Sequence, residues 1–535
     1  MKATGKKTLF LDGSSLTTLG IARVVDDYEV KVFISEETKE KIVASHELLK
    51  KFIDDNRVIY GVNTGLGGFV NWLVPLCNAQ ELQENLISSV ATNVGLCFED
   101  RIVRASMLVR LNSLARGTSA ISIENFNKLL QIYNAGIVPL VPSKGSLGAS
   151  GDLGPLGAIA LVAIGKGKAK YHGTVVSGKL ALKSAGIEPI KLSFKEGLSL
   201  INGTSVMTAL GALLIEQVIV LVKSYDIISC LSFEGLMAKK QPFNPIVHRQ
   251  KPHRGQLQTA ENIWTLLRDS KMIVDERRVE EQLQLHLNQS EPFFSPIAIE
   301  DAYSIRCTPQ ILGPIRDALL VIKNVITNEI NSSNDNPLVL PDQKDVFHNG
   351  HFHGQYISMA MDQLSVCLTT LSNLSDRRID RFMDKNHSNQ LPPFLCKESP
   401  GLRLGLMGGQ FMATSLTAEN RSLCHPVSIQ SLTSTGDFQD HVSMGLVAAR
   451  RAEEIYHNTA YILAFELLCG AQSADIRNPK LLSSATSQVY NLVRKEVPYL
   501  SSDVSLTEYL EILAKLIKSG ALVKLVEPLS GEIYI

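Results

Sequence analysis

The chain has 535 residues, with 53 lysines and arginines against 53 aspartates and glutamates, so its formal net charge is zero. That balance excludes the basic field by which a protein holds nucleic acid or an anionic membrane, and leaves small-molecule work as the default. A hydrophobic share of 45% is ordinary for a globular chain, and the length suits a large core and about two to four domains.

Thr8 to Leu11 and Glu29 to Ile34 read as short strands flanking a small helix. The charged start, Met1 to Lys7, is not followed by an apolar run of signal length. Ser35 is placed as an N-cap, with Glu36 and Glu37 complementing the dipole of a helix that runs to about Asp54. Gly61 to Gly68 is too rich in glycine for regular structure and reads as a mobile loop. Helical patterns resume near Ala79, and one or two strands are expected in Ala169 to Ser177.

Val206 to Val222 is apolar but interrupted by Glu216 and Gln217, which makes it a helix buried on nearly all sides and not a clean membrane span. Pro314 suits a first helical position. Ile315, Leu319, Ile322 and Ile326 then follow at helical spacing until Asn331 to Pro337 breaks the run. Longer patterns cover His353 to Asp384 and Gln439 to Ala474. A helix of about 35 residues is about 50 Å long, a length that belongs in a bundle or across subunits. Leu506 to Ile517 reads as a packing helix. The eight cysteines (Cys77, Cys97, Cys230, Cys307, Cys367, Cys396, Cys424 and Cys469) have no C-x-x-C pair, a pattern of free thiols in a reducing compartment. The expected location is therefore the cytoplasm.

The stretch Gly145 to Gly157 carries the chemistry. Four glycines and a proline surround Ala149-Ser150-Gly151, so the backbone can bend sharply without Cβ clashes. A turn that presses the Gly151 amide nitrogen onto the Ala149 carbonyl carbon permits ring closure. Loss of water, with dehydration of Ser150, then leaves an exocyclic methylidene on a five-membered ring. An ordinary turn is the commoner fate of a Ser-Gly pair. The longer string Gly-Ser-Leu-Gly-Ala-Ser-Gly-Asp-Leu-x-Pro-Leu, however, resembles the signature of the aromatic amino acid ammonia-lyases and aminomutases, which include histidine ammonia-lyase.

That resemblance implies that Ala149, Ser150 and Gly151 become 4-methylidene-imidazol-5-one (MIO). Taken alone, Tyr60 is more readily a packing residue than a base, because an ordinary phenol titrates near 10. Its string Tyr-Gly-Val-Asn-Thr-Gly resembles the family's catalytic loop, in which this tyrosine removes the β-proton, and a glycine lid would deliver it and exclude water. Asn202, in Asn-Gly-Thr-Ser, reads as a turn and helix cap, and by resemblance contacts the MIO and substrate. Tyr303 is implied near the MIO. Arg306 has a guanidinium fork suited to a carboxylate, and Asn334 is implied as an amide donor. His348, His351 and His353 lack a second ligand cluster, so no metal is inferred; by resemblance Phe352 is the residue there that packs near the cofactor.

Substrate class turns on two places. Histidine ammonia-lyases resemble the region of Phe438-Gln439 but carry glutamate where Gln439 stands, and phenylalanine and tyrosine lyases usually show Asn-Gln, so Phe438 is a departure. Relatives that use tyrosine or histidine place a histidine at a position matched by Ser89 or Val90. Here Val90 offers an apolar wall, which disfavours an unpaired phenol, while the Ser89 hydroxyl could pair one. Together with Ala91 to Gly95 and Arg377 to Asp384, these features look most like the bacterial phenylalanine aminomutases that supply β-phenylalanine to antibiotic assembly.

The resemblance implies a mainly α fold of the fumarase/aspartase-like type, with a long central helical bundle, a small mixed α/β N-terminal region and a homotetrameric assembly. The expected division is 1–200 with the MIO and the tyrosine loop, 201–475 as the bundle, and 476–535 as a C-terminal helical region. The expected reaction is 2,3-migration of the amino group of L-phenylalanine through a cinnamate intermediate. Alternatives are a phenylalanine ammonia-lyase, a tyrosine 2,3-aminomutase, or a non-catalytic helical binding protein with an unprocessed loop.

Overall fold

A computed structural model describes residues 7–284, 286–287, 290–295 and 298–535. Residues 1–6 of the charged N-terminal stretch lie outside the described residues. Helix accounts for 58% of the chain and strand for 8%, so the fold class is mainly α. The chain divides into two compact units, one of residues 1–216, 322–362 and 426–451, the other of residues 217–321, 363–425 and 452–535.

The first unit begins with strand β1 (Thr8–Leu11), helix α1 (Thr18–Val24) and strand β2 (Lys31–Ile34), and the two strands pair in parallel with Thr8 opposite Lys31. Helix α2 (Glu36–Asp54) follows, and Ser35 is its N-cap, accepting a hydrogen bond from the Thr38 amide. Ile42, Leu49, Phe52 and Ile53 recur at helical spacing and are buried, each side chain contributing roughly 1.5–3 kcal/mol by leaving water. Then come α3 (Ala79–Val90), β3 (Val94–Cys97), α4 (Asp100–Leu114), α5 (Ile123–Asn134), β4 (Val138–Pro139), β5 (Pro142–Lys144) and α6 (Leu153–Ala163). The expected strands are β6 (Lys168–Tyr171) and β7 (Thr174–Ser177), an antiparallel hairpin with β4 on its other side. Helices α7 (Gly178–Ser184) and α8 (Glu196–Ile201) lead into α9 (Ser205–Gly235). A second antiparallel hairpin, β8 (Leu338–Leu340) and β9 (Asp345–Phe347), lies directly after the Asn331–Pro337 break.

Helix α9 is longer than its apolar pattern. It is long and apolar enough to cross a membrane, yet 78% of its apolar window is buried within the protein. Two helix boundaries differ from the sequence expectation. The helix carrying Pro314 begins at Thr308, so the proline lies inside it, where one backbone hydrogen bond is given up. The pattern from Gln439 becomes helix only at Gly445, because Met444 adopts a left-handed backbone with φ of 57°. That conformation ends any helix on its N-terminal side.

The second unit is built of helices, including residues 363–383 and 452–477 of two long ones. Its interior holds charge. Arg378 and Glu466 are both fully buried, and the guanidinium fork meets the carboxylate twice, at 2.6 and 3.1 Å. Ser232 also donates to Glu466 at 2.8 Å. Arg316 and Asp226 form another fully buried pair. All eight cysteines are free.

Candidate active site

The loop that holds Tyr60 is pinned from beneath. Ile59 and Val62 are fully buried in one cluster with Leu49, Phe52 and Ile53 of α2 and Val339 and Val346 of the β8–β9 hairpin. Asn63 clamps the turn, accepting from the Ile59 amide and donating to the Arg57 carbonyl, both at 2.8 Å. The Tyr60 backbone N–H donates to His348 Nε2 at 3.1 Å, which gives this histidine a place in the loop's support. His351 and His353 go elsewhere, to Asn349 and to the His441 carbonyl. The Tyr60 phenol oxygen accepts the Gly67 N–H at 3.0 Å. Burial raises the phenol's pKa above its ordinary value, and the Gly67 donor pulls it back down, because a hydrogen bond to the oxygen favours the phenolate. Phe438 stacks on Tyr60 with ring centroids 6.4 Å apart and planes 16° from parallel.

Ser150 belongs to a segment held edge to edge against Gly203. The Gly203 N–H donates to the Ser150 carbonyl at 3.3 Å, and the Asp152 N–H donates to the Gly203 carbonyl at 2.8 Å. Gly151 has φ of 69°, and a Cβ there would collide with the Gly203 backbone. Gly203 itself has φ of 146°, and its Cβ would meet Arg110 Nη1 and the Asn334 carbonyl at 2.6 Å. Both positions therefore need glycine, and the backbone of Ala149-Ser150-Gly151 is free of side-chain bulk where ring closure would need close approach. Asp152 secures the far end. Its Oδ2 accepts the amides of Val206 and Met207 at 2.9 and 2.8 Å, capping the start of α9, while burial pushes its pKa up to about 7. Gln439 Nε2 donates to the Ser150 hydroxyl at 2.9 Å.

These pieces meet around a cavity of about 1210 Å³ that lies within the first unit. Tyr60, Ser89, Val90, Ser150, Asn202, Phe352, Phe438 and Gln439 all line it. Ala149 and Gly151 line a smaller cavity that shares Val90, Ser150, Leu153 and Gln439 with it. Asn334 is buried and does not line the cavity; its Nδ2 donates to Thr204 Oγ1 at 3.0 Å. Tyr303 and Arg306 belong to the second unit and are not among the lining residues. There Arg306 pairs with Glu300 at 2.8 Å, and its guanidinium lies 4.9 Å from the Tyr303 ring centre.

Residues 16–495 match the family described as aromatic amino acid lyase. The chain belongs to that family. It is 41% identical over 525 residues to histidine ammonia-lyase of Natranaerobius thermophilus, covering 98% of this chain and 100% of the relative. It is likewise 41% identical over 520 residues to tyrosine ammonia-lyase of Cupriavidus metallidurans, covering 96% and 97%. Among solved structures, the phenylalanine aminomutase of Pantoea agglomerans is 55% identical with a TM-score of 0.92, covering 96% of this chain and 98% of that one. The tyrosine aminomutase of Streptomyces globisporus is 37% identical with a TM-score of 0.93, covering 98% and 99%. The lyase and aminomutase family acts on amino acids as small-molecule substrates, and these relatives span three side chains and two outcomes.

Several groups in and around the cavity carried no sequence signal. The Gly67 N–H is a backbone donor, which no side chain announces. His348 stood in a string whose histidines were weighed only as metal ligands. Lys195 and Asp335, a fully buried ion pair beside Asn202, lie far apart in the chain; only the Asn331 to Pro337 break held one of them.

Proposed function

We propose that this protein is an MIO-dependent aminomutase that converts L-phenylalanine to β-phenylalanine, with ammonia-lyase release of cinnamate as its side reaction. The observation that carries the reading is the side-chain amide of Gln439 standing beside Ser150, the residue whose side chain would become the methylidene. A neutral group stands where an imidazole substrate would want an acid. Val90 lines the same cavity as an apolar wall, and the Ser89 hydroxyl is committed to the Leu86 carbonyl at 2.9 Å. The apolar wall and the engaged Ser89 proton favour a benzyl side chain there over a phenol.

The residues present fit the MIO group. Ala149, Ser150 and Gly151 would form it, with glycine required at Gly151 and Gly203 by the close backbone contact; its chemistry is that of an electrophilic exocyclic carbon that accepts an amine. Tyr60 takes the β-proton onto its phenolate oxygen, which the Gly67 N–H stabilises. Phe438, stacked on Tyr60, closes that wall, so the acrylate is retained long enough for nitrogen to return to the β-carbon while Tyr60 returns a proton to the α-carbon. A change of a few kcal/mol between release and re-addition would reverse the outcome, since about 1.4 kcal/mol is tenfold in rate. Phe352 lines the cavity, and Arg306 grips the substrate carboxylate beside Tyr303. Because neither lines the cavity of its own chain, a homotetramer supplies them from a neighbouring copy, with Asn334 as a buried amide support. The site of action is the cytoplasm.

The peptide carrying Ser150 should weigh less than its sequence mass by two waters, and the protein should show near-ultraviolet absorbance that Ser150→Ala lacks. An unmodified peptide mass and identical spectra would sink the enzyme reading in favour of a binding protein.

A further inference from the structure

Asn202 is buried, and its extended backbone follows the last residue of α8. Its Nδ2 donates to Asp335 Oδ1 at 3.0 Å and to the Asn336 carbonyl at 3.3 Å. Both partners are acceptors. A flipped amide would set Oδ1 against a carboxylate and a carbonyl, so only one orientation is hydrogen-bonded. Oδ1 receives no hydrogen bond among the described residues, and Asn202 lines the cavity with Tyr60 and Ser150. The end offered to a ligand is thus an acceptor, complementary to N–H and not to a carboxylate.

Asp335 is held in turn. Its Oδ2 pairs with Lys195, and both side chains are wholly buried. The other two Lys195 donors go to Ser199 Oγ at 3.2 Å and the Ser119 carbonyl at 3.3 Å. Asp335 Oδ1 also accepts the Asn336 amide at 2.7 Å. Every donor of the lysine and both carboxylate oxygens are occupied. A buried ion pair of this kind is weak as a source of net stability, but it sets geometry.

We propose that Lys195 and Asp335 are positioning residues that lock the Asn202 amide with its carbonyl towards the cavity, where it accepts a hydrogen bond from the substrate's amino group. This deepens the proposed function and rests on it. The lock acts on the nitrogen alone. A ligand without nitrogen, such as cinnamate, gains nothing from Oδ1, whereas the amine gains a charge-assisted hydrogen bond.

The test compares ligands with and without nitrogen on Asp335→Asn, whose amide can donate to a flipped Asn202. The double variant Lys195→Met/Asp335→Asn removes both charges together, in case the single variant leaves an unpaired lysine and fails to fold. Wild-type and variant proteins are measured for KM with L-phenylalanine and for the inhibition constant of cinnamate, with near-ultraviolet absorbance as the check on processing. We expect KM for phenylalanine to rise about tenfold, with the cinnamate constant and the absorbance unchanged, in whichever variant folds. Equal losses for both ligands, or no change in either, would overturn the proposal alone. A wild-type protein inert on phenylalanine, tyrosine and histidine would overturn the proposed function, and this assignment with it.

Discussion

Gly203→Ala is the substitution through which the account can be tested at atomic scale. The residue sits at φ of 146°, and a Cβ built there falls 2.6 Å from both Arg110 Nη1 and the Asn334 carbonyl oxygen. Restoring an ordinary 3.4 Å contact requires about 0.8 Å of movement, and one of the two neighbours is backbone. The disallowed dihedral costs roughly 1–3 kcal/mol, and overpacking adds roughly 1–3 kcal/mol. Gly203 is hydrogen-bonded to Ser150 and Asp152, so the strain relaxes by shifting the segment whose Gly151 nitrogen must approach Ala149. Displacement near 1 Å in a reacting geometry costs about 10²-fold in rate. The assay is near-ultraviolet absorbance of purified variant and wild type, followed with time after synthesis, beside the thermal midpoint. The variant should show a lower midpoint and little or no absorbance. Full absorbance at an unchanged midpoint would refute the claim that Gly203 sets the geometry of ring formation.

The remaining predictions concern substrate choice and stability. Gln439→Glu places a carboxylate beside Ser150 and next to an apolar ring pocket; kcat/KM for L-phenylalanine should fall about 10- to 100-fold, the range expected for burying an unpaired charge, and turnover of L-histidine should rise. Parallel kinetics on the two substrates check it, and unchanged phenylalanine kinetics would remove Gln439 from the specificity argument. Arg378→Met leaves Glu466 buried without its fork and should destabilise the second unit by about 3–5 kcal/mol, read as an earlier denaturation midpoint. The double variant Arg378→Met/Glu466→Leu should recover much of that loss, whereas equal midpoints for wild type and Arg378→Met would mean the pair is solvated in solution.

Local chemistry made much of the fold legible. The Ser35 cap, the β1 and β2 strands and the break after Ile330 are written in residue types whose preferences act over a few positions. Where the reading missed, the deciding feature was one that types do not encode. Met444 takes a left-handed backbone although methionine has no preference for it, so a continuous apolar pattern from Gln439 did not become continuous helix. Pro314 sits inside a helix whose Leu312, Ile315, Leu319, Ile322 and Ile326 are buried, packing that outweighs a single lost bond. At the site, Tyr60, Ser150, Asn202 and Phe438 were all marked by strings around them, and they share one cavity. Lys195 and Asp335 are 140 residues apart, and a lone lysine in a sequence reads as surface. Only the fold brings them together, buried beside Asn202.

The most direct measurement is a time course of the purified protein with L-phenylalanine, following cinnamate, ammonia and chirally resolved β-phenylalanine together, with L-tyrosine and L-histidine in parallel. The account predicts β-phenylalanine ahead of cinnamate from the earliest points, with the other two amino acids poor substrates. Cinnamate and ammonia in equal amounts with no β-product, or preferred turnover of histidine, would contradict it.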